Sequence, residues 1–309
     1  MLRFPACRHP FAAGMIVFMR RFLPIPALLL PNIAAAAPNP TPAEIVAHAP
    51  DAAWADVPPD RLLVMTLADG AQVTIELAPQ FAPVHTGNIV RQARAHGWDG
   101  GAIVRVQDNY VVQWTTRDGK AKPPAGFVAH PPAEYDRARQ DIAIRPLGFP
   151  DPYAPSSGFW SGWPVAAEGD RVWLPHCYGM VGAGRDMPPD TGDGQELYAV
   201  NSEAPRQLDR NLAVVGRVLT GMEHFGALPR GTAALGFYAS KDQNVAIRSI
   251  SLAADLPRAS QPHLQVMRTD SPTFTEYLNA RANRTDPFFV RPANGVALCN
   301  VPVPVRPKP

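Results

Sequence analysis

The 309-residue chain has only three cysteines, 18% charged residues and no apolar run of the roughly 20 residues a membrane span requires. It contains no H-E-x-x-H, no paired C-x-x-C, no phosphate-loop pattern and no G-x-S-x-G elbow. There is thus no sequence signal for a zinc protease, a dithiol site, a nucleotide-phosphate cradle or a serine hydrolase. Gly182-Ala183-Gly184 is too short for a dinucleotide fingerprint and no helix follows it. Asp186, Asp190 and Asp193 lack EF-hand spacing and read as solvated turn acids. The eight histidines are scattered, at 9, 48, 85, 96, 130, 176, 224 and 263, and form no ligand set. No metal or cofactor is expected. No basic stripe is present to meet phosphates, so nucleic acid is not an expected partner.

Proline and apolar residues are abundant. With 36 prolines and 46% hydrophobic residues, the chain reads as globular, short of long helices and rich in loops and strand edges. Residues 1–37 read as a secretory leader. Met19-Arg20-Arg21 is the positive start, Phe22 to Ile33 the apolar middle, and Ala34 to Ala37 the small-residue cleavage region. The residues before Met19 read as upstream sequence. The expectation is export to a bacterial periplasm, with no membrane span once the leader is removed. The leader holds four arginines and no acid, so the remainder has 25 basic against 27 acidic residues. Cys7 falls in the leader. Cys177 and Cys299 remain, an even number in an oxidising compartment, and are expected to pair; two buried free thiols are the alternative.

Residues 38–60, rich in Pro and Ala, read as a linker or extended arm. Arg61 to Ala68, Asp69-Gly70 and Ala71 to Leu77 form a hairpin signal. Pro83 can open a helix that Gly97 ends. The stretch 117–170 lacks periodicity and reads as a loop insertion with one short helix near Glu134 to Arg139. Its Phe159-Trp160-Ser161-Gly162-Trp163 run reads as a packed loop. Short strands follow at Tyr178 to Gly184, Glu196 to Asn201, Leu212 to Val218 and Val245 to Ala253, with a short helix over Leu219 to Leu228 and a peripheral one over Pro272 to Asn283. Many short strands with two helices imply a mainly β fold, a closed antiparallel barrel capped by helices.

The chemistry-bearing stretch is Ile103 to Gln113: a strand, an Asp108-Asn109 turn and a second strand. With a one-residue slip at the turn, alternation places Arg105 on the same rim as Tyr110 and Gln113.

The ordered segments from Leu62 to Leu256 resemble the cyclophilin family of peptidyl-prolyl isomerases. Ala82-Pro83 with Asn88, Trp98-Asp99-Gly100, the Arg105 hairpin, Gly179 to Arg185, Gly194 to Tyr198, Leu208-Asp209, Val214 to Val218 and Gly221-Met222 carry the likeness. It implies an eight-stranded cyclophilin-like barrel over 61–256, interrupted by the insertion at about 117–170, with a C-terminal extension over 257–309 packing on it. It implies Arg105 as the catalytic arginine and Gln113 as its glutamine. Tyr110, Val111, Leu197, Leu208 and Leu212 match pocket positions, Gly184 and Arg185 the segment beside the bound peptide, and Gln195 a groove glutamine. Leu197, Gln207 and Leu212 depart from the family's usual aromatic or histidine residues, and Val104 from its usual histidine, leaving an apolar but less aromatic pocket. The implied activity is isomerisation of X-Pro bonds in unfolded or extended exported polypeptides, by a monomer and without a cofactor. A non-catalytic binder or envelope chaperone on the same barrel is the alternative.

Overall fold

The computed structural model describes residues 39–117 and 122–309. The expected leader, 1–37, lies outside the described residues. The stretch expected as a linker is structured. Thr41 caps a short helix, α1 (Pro42–Ala47): its hydroxyl accepts from the Glu44 N–H at 3.2 Å, and the Glu44 carboxylate accepts from the Thr41 N–H at 2.7 Å. This capping box was readable in the sequence as Thr-x-x-Glu, which outweighs the Pro/Ala composition. Strand β1 (Trp54–Asp56) follows.

Strands β2 (Leu62–Leu67) and β3 (Gln72–Leu77) form the expected hairpin, with Thr66 opposite Gln72. Helix α2 (Pro83–Arg94) begins at Pro83. Its N-cap residue, Ala82, has no side chain that can cap. The carboxylate of Glu134, from the insertion, accepts from the Val84 and His85 N–H groups at 2.9 and 3.0 Å and from His85 Nδ1 at 2.7 Å. Burial opposes this charge. The His85 ring and the two N–H groups outweigh it and hold the Glu134 pKa below the usual 4.5.

Strands β4 (Ala102–Val106) and β5 (Val111–Thr115) lead to the insertion. There the expected loops and helix are replaced by β6 (Arg137–Ala138), β7 (Arg145–Pro146), β8 (Ser156–Trp160), β9 (Trp163–Glu168) and β10 (Arg171–Trp173). They form one antiparallel sheet in the order β6-β10-β9-β8-β7. The signal was hidden because the sheet is covered on both faces. Val165, Ala166 and Ala167 are consecutive and all fully buried, so polar and apolar residues do not alternate.

Strands β11 (Met180–Ala183), β12 (Leu197–Val200) and β13 (Val214–Thr220), helix α3 (Met222–Gly226) and strand β14 (Val245–Leu252) complete the barrel. Eight antiparallel strands close in the order β11-β12-β5-β4-β14-β2-β3-β13, and β13 pairs back to β11. Closure leaves no free edge. Inward residues such as Met65, Ile75, Ile103, Trp114, Val181, Leu197 and Ile250 fill the interior, with Ile89 of α2 and Phe225 of α3 packed on the same core.

The tail supplies β15 (Leu264–Met267), α4 (Pro272–Ala282) and β16 (Val305–Pro307). β15 lies between β1 and β16 in a three-stranded sheet. Trp54 from the arm, Leu147 and Phe159 from the insertion, and Phe274, Tyr277, Leu278 and Leu298 from the tail share one second core. Val266, Val303 and Val305 pack this layer on Leu62 and Val64 of the barrel, and a disulfide and an arginine tie the tail and the insertion to it further. The expected disulfide joins Cys177 to Cys299 across 122 positions, a loop length whose closure is worth about 4–5 kcal/mol in the chain-entropy picture. Arg217 of β13 pairs with Glu76 of β3 at 2.7 Å, donates to the Gly162 carbonyl and stacks 4.1 Å from the Trp163 ring centroid.

Candidate active site

Strict alternation from the inward Ile103 would aim Arg105 into the barrel. A bulge prevents this. The β4–β5 register runs Ile103 opposite Trp114, then Arg105 opposite Gln113, so Val104 and Arg105 together face one partner step. The extra residue turns Arg105 outward beside Gln113 and returns Val106 to the core. The slip expected at the Asp108-Asn109 turn is thus inside β4.

Arg105 is held on several sides. Its Nη1 donates to Gln113 Oε1 at 2.9 Å, its Nη2 to Gln107 Oε1, and its Nε to the Leu235 carbonyl at 2.6 Å. The guanidinium carbon lies 5.5 Å from the Tyr110 ring centroid and 5.3 Å from that of Phe237. Two of its five N–H groups carry no bond among the described residues. Burial lowers its pKa, opposed by Tyr110 and Glu196, but a guanidinium stays cationic. Gln107, Leu235 and Phe237 were not anticipated. Gln107 was visible two residues after the arginine on the same face. The loop carrying Leu235 and Phe237 had no sequence signal; it lies along β4 through the bonds Gly231 N–H to Val106 O and Tyr238 N–H to Val104 O.

Tyr110, Val111 and Leu212 come together as expected, in an apolar cluster with Tyr198 and Val200. Leu197 does not join them. It faces the barrel core at 1% exposure, and Tyr198 takes the outer side of the wall, opposite Gln113 and packed with Tyr110 and Val111. The same one-residue offset moves the groove glutamine. The Gln195 side chain turns to Asp193, its Nε2 donating to Asp193 Oδ2 at 2.9 Å, whereas Glu196 Oε1 accepts from Gln113 Nε2. Because side chains alternate with a period of two, an error of one residue at the start of β12 exchanges every inward and outward position. Leu208 lies half-buried in the 3₁₀ turn Arg206–Leu208, outside the apolar cluster. Gly184 backs Glu196: its N–H donates to the Glu196 carbonyl at 2.8 Å, and a Cβ there would stand 2.8 Å from Glu196 Oε1. Arg185 is occupied by backbone, donating twice to the Asn211 carbonyl at 3.0 Å and once to that of Asp186 at 2.7 Å.

Beneath the groove, Tyr198 is anchored by a buried polar network. Its hydroxyl lies 2.8 Å from His176 Nε2, and His176 Nδ1 lies 3.1 Å from Asp209 Oδ1. A carboxylate only accepts, so Nδ1 donates to Asp209, and in the neutral ring Nε2 accepts a hydrogen bond from the Tyr198 hydroxyl. Asp209 also accepts from the His176 N–H, Trp173 Nε1 and Arg206 Nε, at 2.9, 3.1 and 2.6 Å. Burial opposes its charge, but His176 and Arg206 outweigh it and hold its pKa low; burial pushes the Tyr198 pKa well up.

The described site thus has an outward arginine, a bonded glutamine and an apolar floor on the wall of a closed eight-stranded barrel. Comparison with known proteins gives the same reading. The family model for cyclophilin type peptidyl-prolyl cis-trans isomerase/CLD matches residues 62–251, more than half of the chain. The chain belongs to the cyclophilin family. It is therefore a peptidyl-prolyl cis-trans isomerase, whose substrates are proline-containing polypeptides. Probable peptidyl-prolyl cis-trans isomerases from Brucella suis and Brucella melitensis are each 26% identical to this cyclophilin over 176 residues, 57% of this chain and 75% of theirs. The crystal structure of cyclophilin AquaCyp293 from Hirschia baltica is similar at a TM-score of 0.63 and 25% identity, covering 83% of this chain and 94% of that one. That coverage exceeds residues 62–251, so the likeness runs beyond the segment that the family model matches.

Proposed function

We propose that the proline ring of an exported, extended polypeptide lies on Tyr110, Val111, Tyr198 and Leu212, and that Arg105 is the catalytic residue. The barrier to rotation about a peptide bond, about 18–20 kcal/mol, comes from its double-bond character. No covalent step is needed. As the amide twists, the prolyl nitrogen regains its lone pair, and an arginine N–H donates to it. This interaction exists only in the twisted state, so it lowers the barrier rather than tightening ground-state binding. The observation that carries the assignment is the fixed guanidinium with two N–H groups unbonded among the described residues, beside the apolar cluster of Tyr110, Val111, Tyr198 and Leu212. Gln113 holds Nη1 and is itself oriented by Glu196: with Nε2 donating to a carboxylate, Oε1 must face the arginine.

The site of action follows from the leader and the disulfide. A leader of this pattern directs export, and disulfides persist in oxidising compartments such as the periplasm. The enzyme works there as a monomer, assisting folding of exported chains. The test is isomerisation of a short X-Pro peptide followed by NMR exchange. Arg105→Ala should lower kcat/KM by about 10²–10³-fold, the usual effect of removing one preorganised donor. Arg105→Lys should fall nearly as far, since it keeps charge but loses the planar fork. Either variant matching wild type would overturn the assignment.

A further inference from the structure

We propose that Glu196 makes this groove selective for peptides with a cationic side chain within three residues of the proline. This rests on the isomerase site described above. Glu196 is half-buried, and its carboxylate has no cationic partner among the described residues; its side-chain bond is to the neutral amide of Gln113. Burial raises its pKa, and the nearby Asp186 and Asp193 raise it further, while the Gln113 bond and Arg105 act in the opposite direction. The carboxylate thus sits in a deficit of positive charge. A half-buried acid in that state gains from any cation brought against it, because the interaction is stronger where water is partly excluded.

The surroundings point the same way. Asp186, Asp190 and Asp193 stand on the loop that leads into Glu196, all within ten residues. Asp190 and Asp193 are fixed by accepting backbone N–H bonds, from Asp186 and Gly192 and from Gln195 respectively. Two cations stand against these four acids: Arg105 and Arg185 bond neutral amide and carbonyl oxygens, which leaves their charges in place but forms no ion pair with Glu196 among the described residues. This end of the groove therefore carries excess negative charge. Arg105 and Glu196 bond the two ends of one Gln113 amide, so at ordinary hydrogen-bond lengths the carboxylate lies about 7 Å from the guanidinium. An extended peptide covers that distance in about two residues. A lysine or arginine that near the proline can reach the carboxylate, and a glutamate there is repelled.

The experiment scans Lys, Ala and Glu through the three positions on each side of proline in otherwise identical peptides. It measures kcat/KM by NMR exchange and affinity by titration calorimetry on the leaderless chain. The expected result is at least one position where Lys exceeds Glu by about tenfold. That ratio should fall to about twofold in Glu196→Gln, whose amide still accepts from Gln113, and should shrink in 1 M salt, where screening acts over about 3 Å. The ratio is read within each variant, so a change in overall rate does not disturb it. A Lys/Glu ratio near one at all six positions, or an undiminished ratio in Glu196→Gln, would overturn the proposal. Absence of turnover on every peptide would count against the isomerase site itself, and the calorimetric ratio would then decide the charge preference alone.

Discussion

Two polar clusters begin two residues apart, at Tyr198 of β12 and at Glu196 just before that strand, and they differ in almost every physical respect. Tyr198 leads inward to His176, Asp209, Arg206 and Asp151, all at 7% side-chain exposure or less where paired. There Asp209 accepts four hydrogen bonds and its pKa is held low. Glu196 leads outward to Gln113 and Arg105, half-buried, with a carboxyl whose pKa is raised by burial and arginine donors left over. The inner network is paired at Asp209 and fixes geometry, although Arg206 Nη2 is buried there without a hydrogen-bond partner among the described residues. A half-buried network with unmet charge has capacity for a ligand, and perturbed groups of that kind mark functional sites. The difference separates what builds the groove from what acts in it.

Mutations should divide along that line. The largest effect on stability is expected from Asp209→Ala. It removes four accepted bonds and half of the compensation for the buried Arg206, which keeps only Asp151 at 3.2 Å. A loss of about 3 kcal/mol is expected, at the lower end for breaking a buried pair, with denaturant unfolding as the readout. Arg105→Ala should leave that unfolding curve in place while removing activity. If Asp209→Ala proved as stable as wild type, or Arg105→Ala strongly destabilised, the division would be wrong.

A smaller effect is expected where the insertion caps the barrel helix. Glu134→Gln keeps an acceptor but loses the charge at the α2 N-terminus, and should cost about 1 kcal/mol at neutral pH. The folded pKa of Glu134 lies below the usual 4.5. Its contribution is therefore present above that value and lost as pH falls through the folded pKa. Chemical denaturation between pH 7 and 3 should show the wild-type advantage over Glu134→Gln shrinking towards the acid end. An advantage that is constant or grows on acidification would contradict the capping role.

The barrel and the arginine hairpin were legible in the sequence for the same reason. β3 alternates polar and apolar residues after an Asp-Gly turn that marks the hairpin even though Leu62 to Met65 of β2 are an unbroken buried apolar run, and Arg105, Tyr110 and Gln113 are spaced across a short turn in a recognisable order. Legibility failed where burial is two-sided or a strand start is ambiguous. The insertion sheet covers both faces, so Val165 to Ala167 gave no period. At β12 the run Gln195-Glu196-Leu197-Tyr198 offers two parities, and only the pairing of Tyr198 with Gln113 decides between them. The arm was missed although its Thr41–Glu44 capping box was in plain view. The Arg105 bulge is the opposite case: the right residue was expected on the right face, with the slip one strand too late.

The most direct test is where the proline ring lies. Intermolecular NOEs between an X-Pro peptide and the methyl- and ring-labelled enzyme should run from the proline ring protons to the Val111 methyls and the Tyr198 ring, with the Leu197 methyls silent. Contacts to Leu197, or a proline ring that touches neither Val111 nor Tyr198, would contradict the account.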